Sequence, residues 1–333
     1  MSNGYALFAK ELTWGTAPGS GYRELEVNTD GHKTSRDVLT HRGLRSAGSA
    51  PRASGRRGQK LKGTGTIEVP GFSNGLGILM RAAASTAASA VVDGGTDAYS
   101  QLYTWTGVGV PAGRSVTTEL YRDREDGTFD AYTYTGGRCT QLEIGQDLAG
   151  LLAFKFGMDY KTVVRQNSLP SRSPVEVVPD LIYGWEDAQI RLVAVDGGSP
   201  VAKCIESFSL TIPNELDVDN WCLNRGTTRH EPTRKGLPAP TGALKMKYQE
   251  PTFYDAFVAG TQFHVVADWI GTTAIEDTTF PGLTIDLACI EFSGDDPEVT
   301  VDEYTMQDLP FVVLDNEVDP AVSIEFVTSD TDF

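Results

Sequence analysis

The stretch GFSNG, Gly71 to Gly75, fits the G-x-S-x-G pattern that turns a serine on a tight strand-to-helix bend into a nucleophile. That chemistry needs a general base and an orienting acid, and His230 and His264 are the histidines available downstream. It also needs a mainly parallel sheet built from successive β-α units, and this chain has none in its pattern. The matching place in the second half, EPTFYDAF, offers only a Thr. Ser73 is therefore read as a helix cap, with a serine hydrolase using Ser73 as the remote alternative. The four histidines, at 32, 41, 230 and 264, show no spacing suited to zinc. Asp217 and Asp219 start like a calcium loop, but Cys222 stands where the turn needs Gly and Thr228 where the ion needs Glu. Phosphate-cradling glycine loops are absent from the sequence. The residues thus predict no enzyme, no metal and no cofactor.

The strongest remaining signal is charge. Residues 42–62 read RGLRSAGSAPRASGRRGQKLK, with seven bases (Arg42, Arg45, Arg52, Arg56, Arg57, Lys60, Lys62) and no acid, in a chain of net charge −17. A second basic stretch, 224–247, carries Arg225, Arg229, Arg234, Lys235, Lys245 and Lys247 against Glu231 alone. Beyond Lys247 there is no Lys or Arg, while residues 248–333 hold 19 acids. Three readings compete for the first segment: nucleic-acid binding, a merely solvated loop, or docking on an acidic protein surface. It has no aromatic residue for base stacking. Docking on a neighbouring copy is favoured, since complementary faces on one chain promote self-assembly.

The elements that must position these segments are mostly strands. Alternating or β-branched runs occur at 65–69, 116–122, 129–135, 141–145, 151–157, 207–212, 283–292, 298–304, 310–315 and 322–327, with turn signals between them. Helix is expected only at 73–90, capped by Ser73, and at 252–260, capped by Thr252. The Pro-rich stretch 165–180 divides the chain. Either side repeats one order: strand, basic loop, strand, capped helix, variable insert, closing meander. This predicts a β domain over 1–165, a linker over 166–180 and a second β domain over 181–333. Cys139, Cys204, Cys222 and Cys289 form no CxxC pair and lie in or beside apolar runs, so buried free thiols in a reducing compartment are expected. Neither a signal peptide nor a membrane-spanning run is visible in the sequence.

This arrangement resembles the major tail tube protein of long-tailed, siphovirus-type bacteriophages. KELTWGTAPGSGYRELEV (10–27) is similar to the family's opening through Glu11, Trp14, Gly15 and Thr16; 63–83 resembles its strand leading into a flanking helix, and 133–157 its closing hairpin pair. The resemblance implies mainly antiparallel β-sandwich domains, here two in tandem, each with one short helix and a long loop that reaches a neighbour. It implies a virion protein, made in the host cytoplasm, that self-assembles into stacked rings. With two domains per chain, a homotrimer is preferred over a hexamer. Implied partners are the tape measure, tail terminator and tip proteins, and genomic DNA passing through an anionic lumen without specific binding. Glu68, Glu143, Glu119, Asp286 and Glu325 are then the candidate lumen acids, because they alternate with apolar residues on strands. A tail-tip, decoration or receptor-binding β-sandwich protein is the runner-up.

Overall fold

The computed structural model describes residues 5–41, 50, 53–92, 95, 97–106, 113–166, 172–177, 180–195, 201–202, 204–222, 229–248, 251–294 and 305–331. The first half contains β1 (Ala6–Lys10), β2 (Arg23–Leu25), β3 (Thr29–Asp30), β4 (Lys33–Thr40), β5 (Arg56–Pro70), α1 (Gly77–Ala83), β6 (Thr86–Val91), β7 (Tyr99–Trp105), β8 (Val116–Asp123), β9 (Phe129–Asp147), β10 (Ala153–Tyr160) and β11 (Thr162–Gln166). The two-residue β12 (Val175–Glu176) follows. The second half contains β13 (Ala188–Ala194), β14 (Val201–Ala202), β15 (Ile205–Pro213), β16 (Thr241–Lys247), α2 (Thr252–Ala259), β17 (Gln262–Ile270), β18 (Gly282–Phe292), β19 (Met306–Val313) and β20 (Val322–Thr328).

Two long strands, β9 and β18, organise these elements because each serves two sheets. The N-terminal part of β9 pairs with β8 and β11, and its C-terminal part with β10 and β15. The N-terminal part of β18 pairs with β20 and its C-terminal end with β19, while β17 lies along its other edge. One sheet runs β3/β4, β5, β10, β9, β15, β16, β19, β18, eight positions wide and antiparallel throughout. Above the first half lies β12-β2-β1-β8-β9-β11, and above the second lie β14-β13-β17-β18 and β18-β20-β7-β6. The sheets do not close into a barrel.

The pairing order around β9 recurs around β18. Each is flanked by the chain β2-β1-β8 or β14-β13-β17, by β10 or β19, and by β11 or β20. Even the irregularity recurs. Val116 faces Gly137 and Thr118 faces Tyr134; Phe263 faces Ile290 and Val265 faces Leu287. In both places two residues of the long strand bulge against one of its partner. Counting on from this bulge matches Arg138 with Glu291, whose cross-strand partners are Asp159 on β10 and Val312 on β19.

Alternation sets the two faces. On β15, Phe208, Leu210 and Ile212 are buried while Ser207, Ser209 and Thr211 face outward. The buried faces meet in one core, as where Phe154 lies 6.0 Å from Phe326 and Phe208 6.0 Å from Trp269 between ring centroids. Each such ring contributes about 1.5–3 kcal/mol on burial.

Several sequence expectations need correction. The first helix ends at Ala83, because residues 86–91 pair as β6 with β7; a cross-strand ladder outweighs the helix propensity of an Ala-rich run. Its N-cap position is Leu76, not Ser73. Thr252 is the first helical residue after Pro251, and Gly260 closes α2 at φ 65°. The predicted strands 129–135 and 141–145 are one strand, β9, continued through Gly136 and Gly137. The run 298–304 lies outside the described residues. Residues 56–62 are not loop: they pair with β4 in an antiparallel ribbon. Part of the expected linker is β12, added in parallel to β2 through bonds from Val175 to Tyr22 and Val177 to Glu24. Cys139 and Cys289 are buried, but Cys204 and Cys222 are exposed, because they lie at a strand start and in a loop. Among the described residues no helix is long and apolar enough to cross a membrane.

Candidate assembly interface

The two halves meet through two β ladders, β20 on β7 and β15 on β9, the second of which joins them edge to edge in the eight-position sheet. β15 pairs with the C-terminal part of β9 from Ser207 opposite Asp147 to Pro213 opposite Gln141. Past β15 the chain turns back across the first half. Asn214 Nδ2 donates to the carbonyls of Ala83 and Cys139, each at 2.9 Å. Arg229 then reaches Asp159 at the end of β10, both side chains under 5% exposed, and donates to the carbonyls of Tyr160 and Val218. Burial pushes the Asp159 carboxyl up, against the pull of Arg229. Beside it, Glu231 accepts from the buried Arg138 of β9 at 2.7 Å. Burial lowers the Arg138 guanidinium from its ordinary value, and Glu231 works against that. Farther out, Lys62 lies 3.6 Å from Asp219, and Lys60 Nζ stands 5.4 Å from the Trp221 ring centroid.

The equivalent edge of the first half has no such cover among the described residues. β3 and β4 hold, against β5, the place that β15 holds against β16. β4 is exposed along nearly its whole length, including Leu39 at 55%. Val38 and Leu61 are also exposed, and Arg56 and Arg57 sit opposite Thr40 and Leu39. A two-stranded ribbon is marginal in water by itself, so an exposed one carrying apolar side chains marks a contact surface.

The basic residues expected at subunit contacts separate into groups. Arg42, Arg45, Arg52 and Arg225 lie outside the described residues. Arg56, Arg57 and Lys235 are exposed. Lys60 and Lys62 bind the second half of their own chain, and Arg234 donates to Gly236 and Thr106 carbonyls. Arg229 is a correction: at 1% exposure it is a buried tie between halves, not a surface contact.

The candidate lumen acids do not share one surface. Glu68 and Glu143 flank Lys155 on the outward face of the eight-position sheet, and Glu143 pairs with Lys155 at 2.6 Å. Asp286 pairs with His264 at 2.9 Å, and Glu325 accepts from Ser100 at 2.5 Å, both on the opposite layer, whose outward face points the other way. Glu119 is a correction. It is fully buried beneath Arg172, at 2.7 Å, and accepts from Tyr121 Oη, so it reaches no solvent-filled bore.

Ser73 is 1% exposed, and its hydroxyl accepts the Leu181 N–H at 3.1 Å while its own N–H donates to the Leu181 carbonyl. It fastens the start of the second half to the first. The Asp217 carboxylate accepts the Asp219 N–H, which makes a local turn. The opening motif has a role that residue types alone did not disclose. Glu11, 2% exposed, accepts from the N–H groups of Gly15 and Gly136 and the hydroxyls of Ser115 and Thr117. Trp14 Nε1 donates to the Gly136 carbonyl at 3.1 Å. Gly136, at φ 67°, is where β9 passes from one sheet to the other, so the motif holds that crossing in place.

One sheet edge is thus docked inside the chain, while the matching edge on β3 and β4 is exposed among the described residues. No curated protein matches the chain. A family model described as phage tail tube protein matches residues 1–313. The chain therefore belongs to the phage tail tube protein family.

Proposed function

We propose that this chain is the repeating, non-enzymatic subunit of a siphovirus-type tail tube, built of two copies of one β domain and polymerised into stacked rings through which the genome leaves. The observation that carries this reading is the contrast between the covered edge of β15 and the exposed edge of β3–β4. An open antiparallel edge templates another strand. If it repeats on the next copy the contact that β15 makes on β9, each copy adds eight positions to a growing sheet. Three copies give twenty-four strands. At ~4.8 Å between strands and a tilt of ~40°, the closed sheet is roughly 50 Å across between backbones. Side chains leave a bore of roughly 40 Å, ample for a duplex about 20 Å wide.

The outward face of the eight-position sheet suits the lumen. Its strands present Thr64, Thr66, Gly157, Gly145, Ser209 and Ala243, among other small residues. Acids there, among them Glu68, Glu143, Asp147, Glu206, Glu291 and Asp308, stand against Lys155, Lys245 and Lys247. Such a face offers duplex phosphates no net attraction, so DNA slides instead of binding. The tape measure, terminator and tip proteins are the other partners, and the assembled product is part of a virion made in the host cytoplasm. Electron microscopy of the purified protein tests the reading. Hollow tubes or threefold rings are expected; dispersed monomers at every concentration and salt would overturn it, and six chains per ring would overturn the two-domain count.

A further inference from the structure

Glu291 occupies, in the second half, the register position that Arg138 occupies in the first. At the covered junction the incoming segment brings an acid, Glu231, to the basic receiver Arg138. At the matching place the receiver is the acid, and the ribbon that would arrive is basic. We infer that Glu291 receives an arginine of the β4–β5 ribbon from the next copy of this chain, and that the inverted charge makes each half accept only the opposite half. This rests on the tube reading and names the contact that fixes its order.

Three observations support it. No described cation lies within ion-pair distance of Glu291, although it is only half-buried. The sequence past Lys247 contains no Lys or Arg, so a partner must come from earlier in the chain or from another copy. The groups beside it are uncharged: Gln262 on β17 and Val312 on β19 are its cross-strand neighbours. Val312 also replaces the carboxylate of Asp159, which sets an apolar residue where Leu39, the cross-strand neighbour of Arg57 on the ribbon, would arrive.

The inversion works by exclusion as well as attraction. Were a ribbon to displace the Glu231 segment, its Arg56 or Arg57 would meet Arg138 with like charge, and a displaced Glu231 segment would meet Glu291 with like charge. First-half-to-first-half and second-half-to-second-half contacts are penalised, and only the alternating order closes.

The test is tube formation by the full chain, followed by sedimentation and electron microscopy. Glu291→Lys should raise the concentration needed for assembly by at least about tenfold, the lower range for a close charge pair at an interface, with unchanged circular dichroism and melting of the monomer. Combining it with Arg56→Glu and Arg57→Glu should recover much of the loss. Glu291→Gln, which reverses nothing, should assemble with a smaller deficit and a weaker salt dependence. Wild-type assembly by Glu291→Lys, or a compensated variant no better than Glu291→Lys, overturns the pairing. Absence of tubes from the wild-type protein itself overturns the tube reading instead.

Discussion

The end of β9–β10 and the end of β18–β19 are matching places in one sheet, yet they are furnished differently. The first buries an ion pair, Asp159 with Arg229, beside a second pair, Arg138 with Glu231. The second presents Val312 and a half-buried Glu291. The physical difference lies in how the partner arrives. Inside the chain the covering segment is tethered, so its effective concentration is high and the pair need never be separated. A buried charge whose partner is absent is costly, and a surface that must wait for another molecule cannot carry one. An apolar residue with a partly solvated carboxylate is tolerable alone and still specific when covered.

The largest expected effect breaks the covered junction. Arg229→Met leaves Asp159 buried without its cation and should cost about 3–5 kcal/mol in denaturant unfolding. Adding Asp159→Val, which imitates Val312, should restore most of it; a lasting deficit would mean that the ions do more than satisfy each other. Next comes packing under the shared Thr-Gly step of β5 and β16. A Cβ on Gly242 would stand 2.3 Å from Phe311 Cζ and 2.4 Å from the Ser209 carbonyl oxygen, and one on Gly65 would stand 2.3 Å from His32 Cδ2. Gly242→Ala should cost about 1–3 kcal/mol. Gly65→Ala should cost less, because only a side chain must move; equal melting temperatures would contradict this.

Acid should separate the halves in another way. Burial opposes the charge on Asp30, but hydrogen bonds from His32 and Arg122 overcome it and hold the carboxyl at about 2. Its folded value lies below its unfolded one, so its contribution is complete above the ordinary carboxylate range and disappears as pH falls through about 2. Roughly 1–2 kcal/mol is at stake after solvent screening. Phe208 holds the matching position on β15, so hydrogen exchange should show this loosening near β3 and β8 and not near β15. Asp30→Asn should abolish the step. The smallest effect is expected from Lys62→Ala. Its pair with Asp219 is long and partly exposed, and unfolding should change by about 1 kcal/mol or less.

Much of the architecture was legible because strand periodicity is local. The alternation in 207–212, 283–292 and 322–327 places those strands within a few residues, and the repeated order of strand, basic segment, strand and helix is visible in types alone. The strand at 6–10 is short and nearly continuous in apolar residues, a pattern shared with buried helix; those at 99–105 and 262–270 break the alternation, and that at 188–194 was missed although Gln189 and Arg191 alternate with Ile190 and Leu192. The run TAASAV was misread because nothing local says that β7 will pair with it.

By itself the sequence determined the sorting of charge and the alternation of apolar residues along many strands. These depend on composition and on neighbours a few positions apart. Which bases face outward was decided only by the fold. Arg56 and Arg229 are both arginines in basic stretches, yet one is exposed on a ribbon and the other is buried against Asp159. Likewise Glu119 alternates as a surface residue should, but sheet stacking encloses it under Arg172. Burial depends on what packs over a strand from elsewhere in the chain, here 53 and 70 residues away, and that is a property of the tertiary structure.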